Sequence, residues 1–151
     1  MIPDIMKDGV LIDTSIALYA LGAEDPRKGP CRRFLARVTS GKGYAYASTE
    51  MIQEATYHRL RVSGKPRLAA ADVRKLMSAL TILKFDYEVL DTSLKLIEQL
   101  PGVRGRDAVH AATALVYGIP TIASSDASFD LVPGITRVDP TVHDPKGIQQ
   151  P

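Results

Sequence analysis

Short apolar runs alternate with helical patterns along the chain, and this alternation predicts an α/β fold. Val10–Ile12 are apolar at consecutive positions, as expected of a strand that is buried on both faces of a parallel sheet. Further strands are predicted at residues 44–47, 87–90, 119–123 and 135–138. Because helical segments separate these runs, we expect right-handed βαβ crossovers and a mainly parallel central sheet with helices on both faces.

Apolar residues at helical spacing, flanked by capping residues, predict the helices. The longest covers residues 68–83, because its apolar positions recur at helical intervals as far as Leu83. Thr14 or Ser15 is expected to cap the first helix, and Ser48 or Thr49 the third. The other predicted helical segments are 15–21, 30–38, the stretch from about 50 to 60, 94–100, 108–117 and a turn at 127–131.

The 151 residues fit a single domain, which we place at residues 1–139, followed by a flexible tail at 140–151 that is rich in proline and polar residues. The single cysteine, Cys31, excludes an internal disulfide framework and is consistent with a reducing cytosol. No apolar run approaches the about 20 residues that cross a bilayer, so we expect a cytoplasmic protein without membrane contact. A net charge of +2 is too weak to indicate nucleic-acid binding by itself.

Four carboxylates stand apart from the solvated charges. Asp13 directly follows the first strand, and Asp126 follows the strand at 119–123. Asp107 begins a helix after a basic loop, and Glu54 lies in a largely apolar helical stretch, where an inward-facing charge is unusual. Because parallel strands bring their carboxyl ends to one edge of the sheet, we expect these acids to lie close together.

Neighbouring carboxylates repel one another, and a hard divalent cation relieves this repulsion. Mg²⁺ suits oxygen ligands best and bridges to substrate phosphates. Such an ion polarises a phosphoryl oxygen and activates a bound water, so phosphodiester hydrolysis is the favoured chemistry. Each acid alone has a structural alternative: a helix cap for Asp13 and Asp107, a turn for Asp126, and a solvent-facing position for Glu54.

The acids occur in an ordered set of motifs. These are Leu-Ile-Asp-Thr-Ser at 11–15, Glu54, Arg-Asp-Ala-Val-His-Ala-Ala-Thr-Ala at 106–114 and Ser-Ser-Asp-Ala-Ser-Phe-Asp at 124–130. From residue 10 to about 139 the chain resembles a PIN domain, and most of all the VapC toxins of toxin–antitoxin pairs. The resemblance implies a three-layer α/β/α sandwich and an endoribonuclease that depends on Mg²⁺ or Mn²⁺ and hydrolyses RNA with metal-activated water. It also implies a homodimer and a cognate VapB-like antitoxin.

The same resemblance implies the roles of individual residues. The catalytic and metal-binding quartet would be Asp13, Glu54, Asp107 and Asp126. Asp130 would be a further acid near the metal. Ser15 takes the small polar position beside the first acid, and Ser125 takes the position before the last. The pair Ser124-Ser125 departs from the commoner pairing with a threonine, which should leave the chemistry intact.

Basic residues near the acids are candidates for contacts with RNA phosphates, with a solvated helix face as the alternative for each. The candidates are Arg59, Arg61, Arg104 and Arg106. His110 lies three residues after Asp107 on the same helix face, where a packed imidazole is favoured over a metal or phosphate ligand. His58 is expected on a helix surface, and Tyr57 fits either the core or an interface.

Two other functions stay open on the sequence alone. A phosphatase-like phosphotransfer enzyme would use Asp13 as covalent nucleophile, but Ser15 stands where such a site commonly has a second acid. A non-catalytic PIN-like interaction module is the other alternative, against which the complete quartet argues. A nucleotide-binding Rossmann domain is disfavoured because no Gly-x-Gly-x-x-Gly follows the first strand.

Overall fold

The centre of the molecule is a sheet of five parallel strands. The computed structural model describes residues 8–40 and 44–142. The strands are β1 (Val10–Ile12), β2 (Ala45–Ser48), β3 (Thr81–Leu83), β4 (Thr121–Ala123) and β5 (Thr136–Val138). Their spatial order is β3-β2-β1-β4-β5, and every neighbouring pair is parallel. The sheet therefore has β1 at its middle, and the parallel central sheet of the predicted α/β/α sandwich is confirmed.

Helices cover both faces of this sheet. In the described ranges they are α1 (Thr14–Leu21), α2 (Lys28–Thr39), α3 (Thr49–Ser63), α4 (Pro66–Ala79), α5 (Tyr87–Gln99) and α6 (Gly105–Val116), with a 3₁₀ helix at Ala127–Leu131. Helices α1 to α4 bury one apolar cluster, which contains Ile16, Phe34 and Met51. Helices α5 and α6 bury a second cluster around Val89 and Phe129. Both layers remove apolar surface from water, which is the main favourable contribution to folding.

Two predicted elements differ from the structure. Residues 68–83 do not form one helix, because α4 ends at Ala79 and Thr81–Leu83 forms β3, which pairs with β2 at the edge of the sheet. Residues 87–90 are not a strand but the first turn of α5. Asp86 starts that helix by accepting a hydrogen bond of 3.1 Å from the backbone N–H of Val89. The predicted helix at 94–100 therefore begins seven residues earlier, at Tyr87.

The helix caps place functional groups at the carboxyl edge of the sheet. Helix α1 is capped by Asp13 itself, not by Thr14 or Ser15, since Asp13 accepts the Thr14 backbone N–H at 2.8 Å. Ser48 caps α3, as predicted, by accepting the N–H of Met51 at 3.0 Å. Helix α1 therefore begins almost directly after β1, and α3 directly after β2, so both helices start beside the candidate site.

The described helices include none that is both long and apolar enough to cross a bilayer. The predicted tail at 140–151 lies outside the described residues except for 140–142. The domain boundary at residue 139 and the cytoplasmic location stay predictions.

Candidate active site

Asp13 lies at the carboxyl end of β1, and three donors orient its carboxylate. The Thr14 N–H donates to Oδ1, while the hydroxyls of Ser15 and Ser124 donate to Oδ2 at 3.1 and 2.6 Å. The Asp13 N–H donates to the carbonyl of Ala123 on the neighbouring strand at 2.9 Å. The side chain is only 8% exposed. Both the main chain of α1 and the end of β4 thus determine where this carboxylate points.

Ser124 connects the ends of the two central strands. Its hydroxyl donates to Asp13 and accepts the backbone N–H of Asp126 at 2.9 Å. Ser124 is completely buried, whereas Ser125, to which the resemblance gave the supporting role, is partly exposed. The structure therefore assigns this bridging contact to Ser124. Its position directly after the buried strand β4 is a signal that the sequence already contained.

Asp107 and Asp126 come together from α6 and from the segment after β4. The Ser128 hydroxyl donates to Asp107 at 3.2 Å, and the Ser128 N–H donates to Asp126 at 2.9 Å. Burial, the contact with Asp126 and the charge of Asp13 raise the pKa of Asp107 to about 6. The Ser128 N–H holds the pKa of Asp126 below its usual value. The pair therefore concentrates negative charge in the way that a cation site requires.

Glu54 reaches the site from α3 and faces inward. Its Oε2 accepts a hydrogen bond of 3.0 Å from the Thr14 hydroxyl, and its buried Oε1 lies 3.4 Å from Nε2 of His110. Oε1 has no hydrogen-bond partner of good geometry among the described residues. Although burial acts to raise the pKa of Glu54, the contacts with His110, Thr14 and Arg106 lower it. Glu54 is therefore a carboxylate at neutral pH.

His110 occupies the centre of the acids, which the sequence analysis did not anticipate. It is 1% exposed, and its Nε2 lies 3.5 Å from Asp13 Oδ1 and 3.4 Å from Thr14 Oγ1, besides its approach to Glu54. Burial opposes its charged form, but Glu54 and Asp13 raise its pKa above the usual value. The preferred interpretation, a packed imidazole, is correct for its burial, but the ring packs between two carboxylates.

Two predicted site residues are engaged in ion pairs. Asp130 binds the Arg137 guanidinium through both oxygens, at 3.0 and 3.1 Å, and Arg137 also donates to the carbonyl of Ser124. Arg137 thus engages the Asp130 carboxylate, and the role of Asp130 as a metal-binding acid stays a prediction. Arg59 pairs with Asp72 of α4 at 3.1 Å and its side chain is 12% exposed. Arg59 therefore joins α3 to α4, and its contact with RNA stays a prediction.

The other three arginines that were predicted to contact RNA lie at the surface. Arg106 is 73% exposed, with its Nη1 3.9 Å from Oε2 of Glu54. The Arg61 guanidinium lies 5.8 Å from the centroid of the Tyr57 ring. Arg104 is exposed immediately before α6. Arg61 and Arg106 both line the cavity beside Glu54. These two of the predicted arginines therefore border the acidic site.

The donor set of the site fits a hard divalent cation. Its ligands are carboxylate oxygens, which Mg²⁺ and Mn²⁺ prefer. In residues 8–40 and 44–142, no three His, Cys, Asp or Glu side chains converge tightly enough to enclose an ion. An open arrangement suits Mg²⁺, which commonly takes one or two carboxylates and keeps several waters. A cation would relieve the raised pKa of Asp107 and would give Oε1 of Glu54 the well-formed contact that residues 8–40 and 44–142 do not supply.

Comparison with known proteins identifies similar chains. A PIN domain family model matches residues 10–135. Ribonuclease VapC7 of Mycobacterium tuberculosis is 31% identical over 134 residues, which are 87% of this chain and 91% of the relative. VapC ribonuclease Mb1869c of Mycobacterium bovis is 24% identical, covering 85% of this chain and 98% of its own length.

Two solved structures share the fold. The crystal structure of VapC20 from Mycobacterium tuberculosis, described as a toxin that cleaves the sarcin-ricin loop, superposes with a TM-score of 0.67 at 20% identity, covering 81% of this chain and 93% of its own. DNA-bound VapBC from Salmonella typhimurium gives a TM-score of 0.68 at 21% identity, with coverages of 87% and 98%. At 20–21% sequence identity, these two matches show that the fold is shared and nothing more.

Proposed function

Because the chain belongs to the PIN domain family and is a VapC-like endoribonuclease toxin, we propose that it cuts RNA with a divalent cation held by its acidic quartet. The observation that carries this proposal is the approach of the half-buried Asp107 to Asp126 and Asp13; its burial and these two carboxylates together raise the pKa of Asp107 to about 6. Asp13, Asp107 and Asp126 would hold the cation, with Glu54 completing the set from α3.

The residues of this chain have distinct tasks in the proposed reaction. Mg²⁺ or Mn²⁺, when bound, would supply positive charge at the scissile phosphate and would acidify a water. Ser124 and the Thr14 N–H orient Asp13, so its carboxylate needs no rearrangement to act. Arg106 is exposed beside Glu54, where its guanidinium would meet a substrate phosphate. His110 offsets the charges of Asp13 and Glu54 before the cation arrives.

The alternatives are weaker on specific contacts. For a phosphatase-like enzyme, the position two residues after Asp13 would hold a second acid, but Ser15 donates a hydrogen bond to Asp13 there. A non-catalytic module would have no use for the buried Glu54 carboxylate, whose Oε1 lies near His110 but accepts no well-formed hydrogen bond within the described part of the chain, an arrangement that is costly to maintain. Both observations favour a nuclease.

We further propose a VapB-like antitoxin as the regulatory partner. Solved VapBC assemblies from Salmonella typhimurium and Rickettsia felis share this fold. Glu54 lines an open cavity between α1 and α3, so a basic side chain of a partner would reach the acids there if it displaced the exposed Arg106 from Glu54. Such a side chain would compete with the cation for the same carboxylates.

Cleavage of a single-stranded RNA pool by the purified protein is expected to require a divalent cation. EDTA should stop cleavage, and excess Mg²⁺ or Mn²⁺ should restore it, because the repelling carboxylates need a counter-charge to bind a phosphate. EDTA already saturated with Mg²⁺ is the matched control and should not inhibit. Cleavage that persists in EDTA would overturn the metal-dependent mechanism.

An apolar face of α5 supports the proposed homodimer. Tyr87, Leu90, Leu94 and Ile97 lie on successive turns and are 81%, 41%, 50% and 41% exposed. Leu94→Glu is expected to convert a dimer into a monomer in size-exclusion chromatography with light scattering, because a charge would be buried at the interface. Ala71→Glu places the same charge at an exposed position of α4 and should leave the dimer intact. An unchanged mass for Leu94→Glu would remove α5 from the interface.

A further inference from the structure

A cavity of about 420 Å³ opens between α1 and α3, directly beside the acids. Thr14 and Glu54 of the site form one end of it. The rest of its polar wall comes from Gln53, Tyr57 and His58, with arginines at its border. The volume is in the range of small-ligand pockets in proteins. A molecule that occupies this cavity would also reach the catalytic carboxylates.

The charges that border the cavity favour an anionic ligand. Arg61 and Arg106 both line it, whereas Glu54 is the one acid among its described lining residues and is already contacted by His110. Arg106 is 73% exposed and 3.9 Å from Glu54, a loose pair that leaves its guanidinium accessible. A phosphate group accepts two parallel hydrogen bonds from such a guanidinium. The cavity therefore suits a phosphate-bearing ligand.

The wall of the cavity also offers an aromatic surface. Tyr57 is 61% exposed, and the Arg61 guanidinium lies 5.8 Å from its ring centroid. Exposed aromatic rings next to arginines are the means by which proteins stack unpaired bases of single-stranded RNA. Gln53 lies one helical turn before Tyr57 on the same face of α3, and its amide offers both a donor and an acceptor.

His58 adds a polar group that lacks a partner. Its Nδ1 is buried without a hydrogen bond among the described residues. Burial and the cations Arg61 and Arg59 lower its pKa, so the ring is neutral at physiological pH and each nitrogen can donate or accept according to the tautomer. The ring lies between this cavity and a second one of about 390 Å³. Because Nδ1 is buried, a base that enters either cavity would meet the part of the ring that is not buried.

We propose that this cavity binds the nucleotide adjoining the scissile phosphate, with its base stacked on Tyr57 and read by Gln53 and His58, and its phosphate between Arg61 and Arg106. The inference rests on the proposed ribonuclease function. It makes Gln53, Tyr57 and His58 the residues that determine the cleavage motif.

A binding experiment tests the stacking directly. The full chain carrying Asp13→Asn is titrated with short single-stranded RNAs that contain 2-aminopurine, whose fluorescence falls when the base stacks. Adding Tyr57→Leu should remove the quenching and weaken binding about tenfold, the usual effect of losing one base–aromatic stack. Tyr57→Phe should retain both. Tyr117→Leu, which removes another exposed tyrosine at the C-terminal end of α6, outside both the cavity and the α5 face, should change neither.

The active enzyme provides a second readout. In an RNA pool, Tyr57→Leu and Gln53→Ala should change the base preference next to the cut and raise KM more than they lower kcat. Unchanged quenching and affinity in Tyr57→Leu would overturn the subsite. If the unmodified protein binds and quenches the probe but cuts no RNA with Mg²⁺, the ribonuclease proposal fails while the nucleotide site stands.

Discussion

Asp13→Asn is expected to abolish RNA cleavage while leaving the fold intact. The substitution removes the negative charge that would hold the cation, and it replaces an oxygen that accepts hydrogen bonds from Ser15 and Ser124. We expect the rate to fall by at least about 10³-fold, which corresponds to about 4 kcal/mol of lost transition-state stabilisation. Asparagine caps helices as well as aspartate does, so α1 should begin at the same residue.

The measurement is single-turnover cleavage of RNA in Mg²⁺, with circular dichroism and thermal unfolding to establish that the variant is folded. Asp91→Asn is the matched control, because Asp91 pairs with Lys95 on the surface of α5 and should not affect cleavage. Full activity of a folded Asp13→Asn variant would show that this carboxylate does not take part in the reaction.

His110→Phe is expected to destabilise the metal-free protein by about 3 kcal/mol, the usual result of removing one partner from a buried ion pair. Phenylalanine keeps an aromatic ring in the core but loses the contacts of His110 with Asp13 and Glu54. Two buried carboxylates would then face each other without a counter-charge. The free energy of unfolding is measured with urea in EDTA.

The pH dependence separates this electrostatic role from packing. The pKa of His110 is raised in the fold, so its stabilisation is complete below the unfolded value of 6.5 and is lost as pH rises through the folded value. The difference in stability between the unmodified protein and His110→Phe should therefore shrink at alkaline pH. A difference that is constant between pH 5 and 9 would indicate packing alone.

Asp107 adds a second pH-dependent contribution, which His110→Phe should retain. Its pKa rises from 3.8 to about 6 on folding, so the folded protein binds this proton more tightly than the unfolded chain. Stability should therefore fall as pH increases from 3.8 to about 6. The contribution of His110 is lost at higher pH, which allows the two groups to be distinguished in one titration.

The central strands and the approach of the four acids were predictable because local signals mark them. A carboxylate after a buried apolar run identifies Asp13, and the parallel topology then brings Asp126 to the same edge. The edge of the sheet was not predictable in this way. Apolar residues continue at helical spacing through Leu80 and Leu83, and only the pairing of Thr81–Leu83 with β2 ends the helix at Ala79.

The site residues that sequence reasoning missed depend on contacts between distant segments. The spacing of His110 from Asp107 places it on the right face of α6, but its approach to Asp13 follows from how α6 packs on the sheet. Likewise, Ser124 and Ser125 are equivalent as residue types. The position of Ser124 directly after β4 favours it, and the pairing of β4 with β1 then brings its hydroxyl to Asp13.

The pairing of β1 with β4 has a consequence for synthesis of the protein on the ribosome. Asp13 emerges early, but the serine that orients it follows 111 residues later, and its neighbour on the sheet, Ala123, is made just before that serine. Domains form their long-range contacts only after both segments have left the ribosome. A nascent chain therefore has no competent catalytic centre through most of translation, and products of premature termination before β4 should be harmless to the cell that makes them.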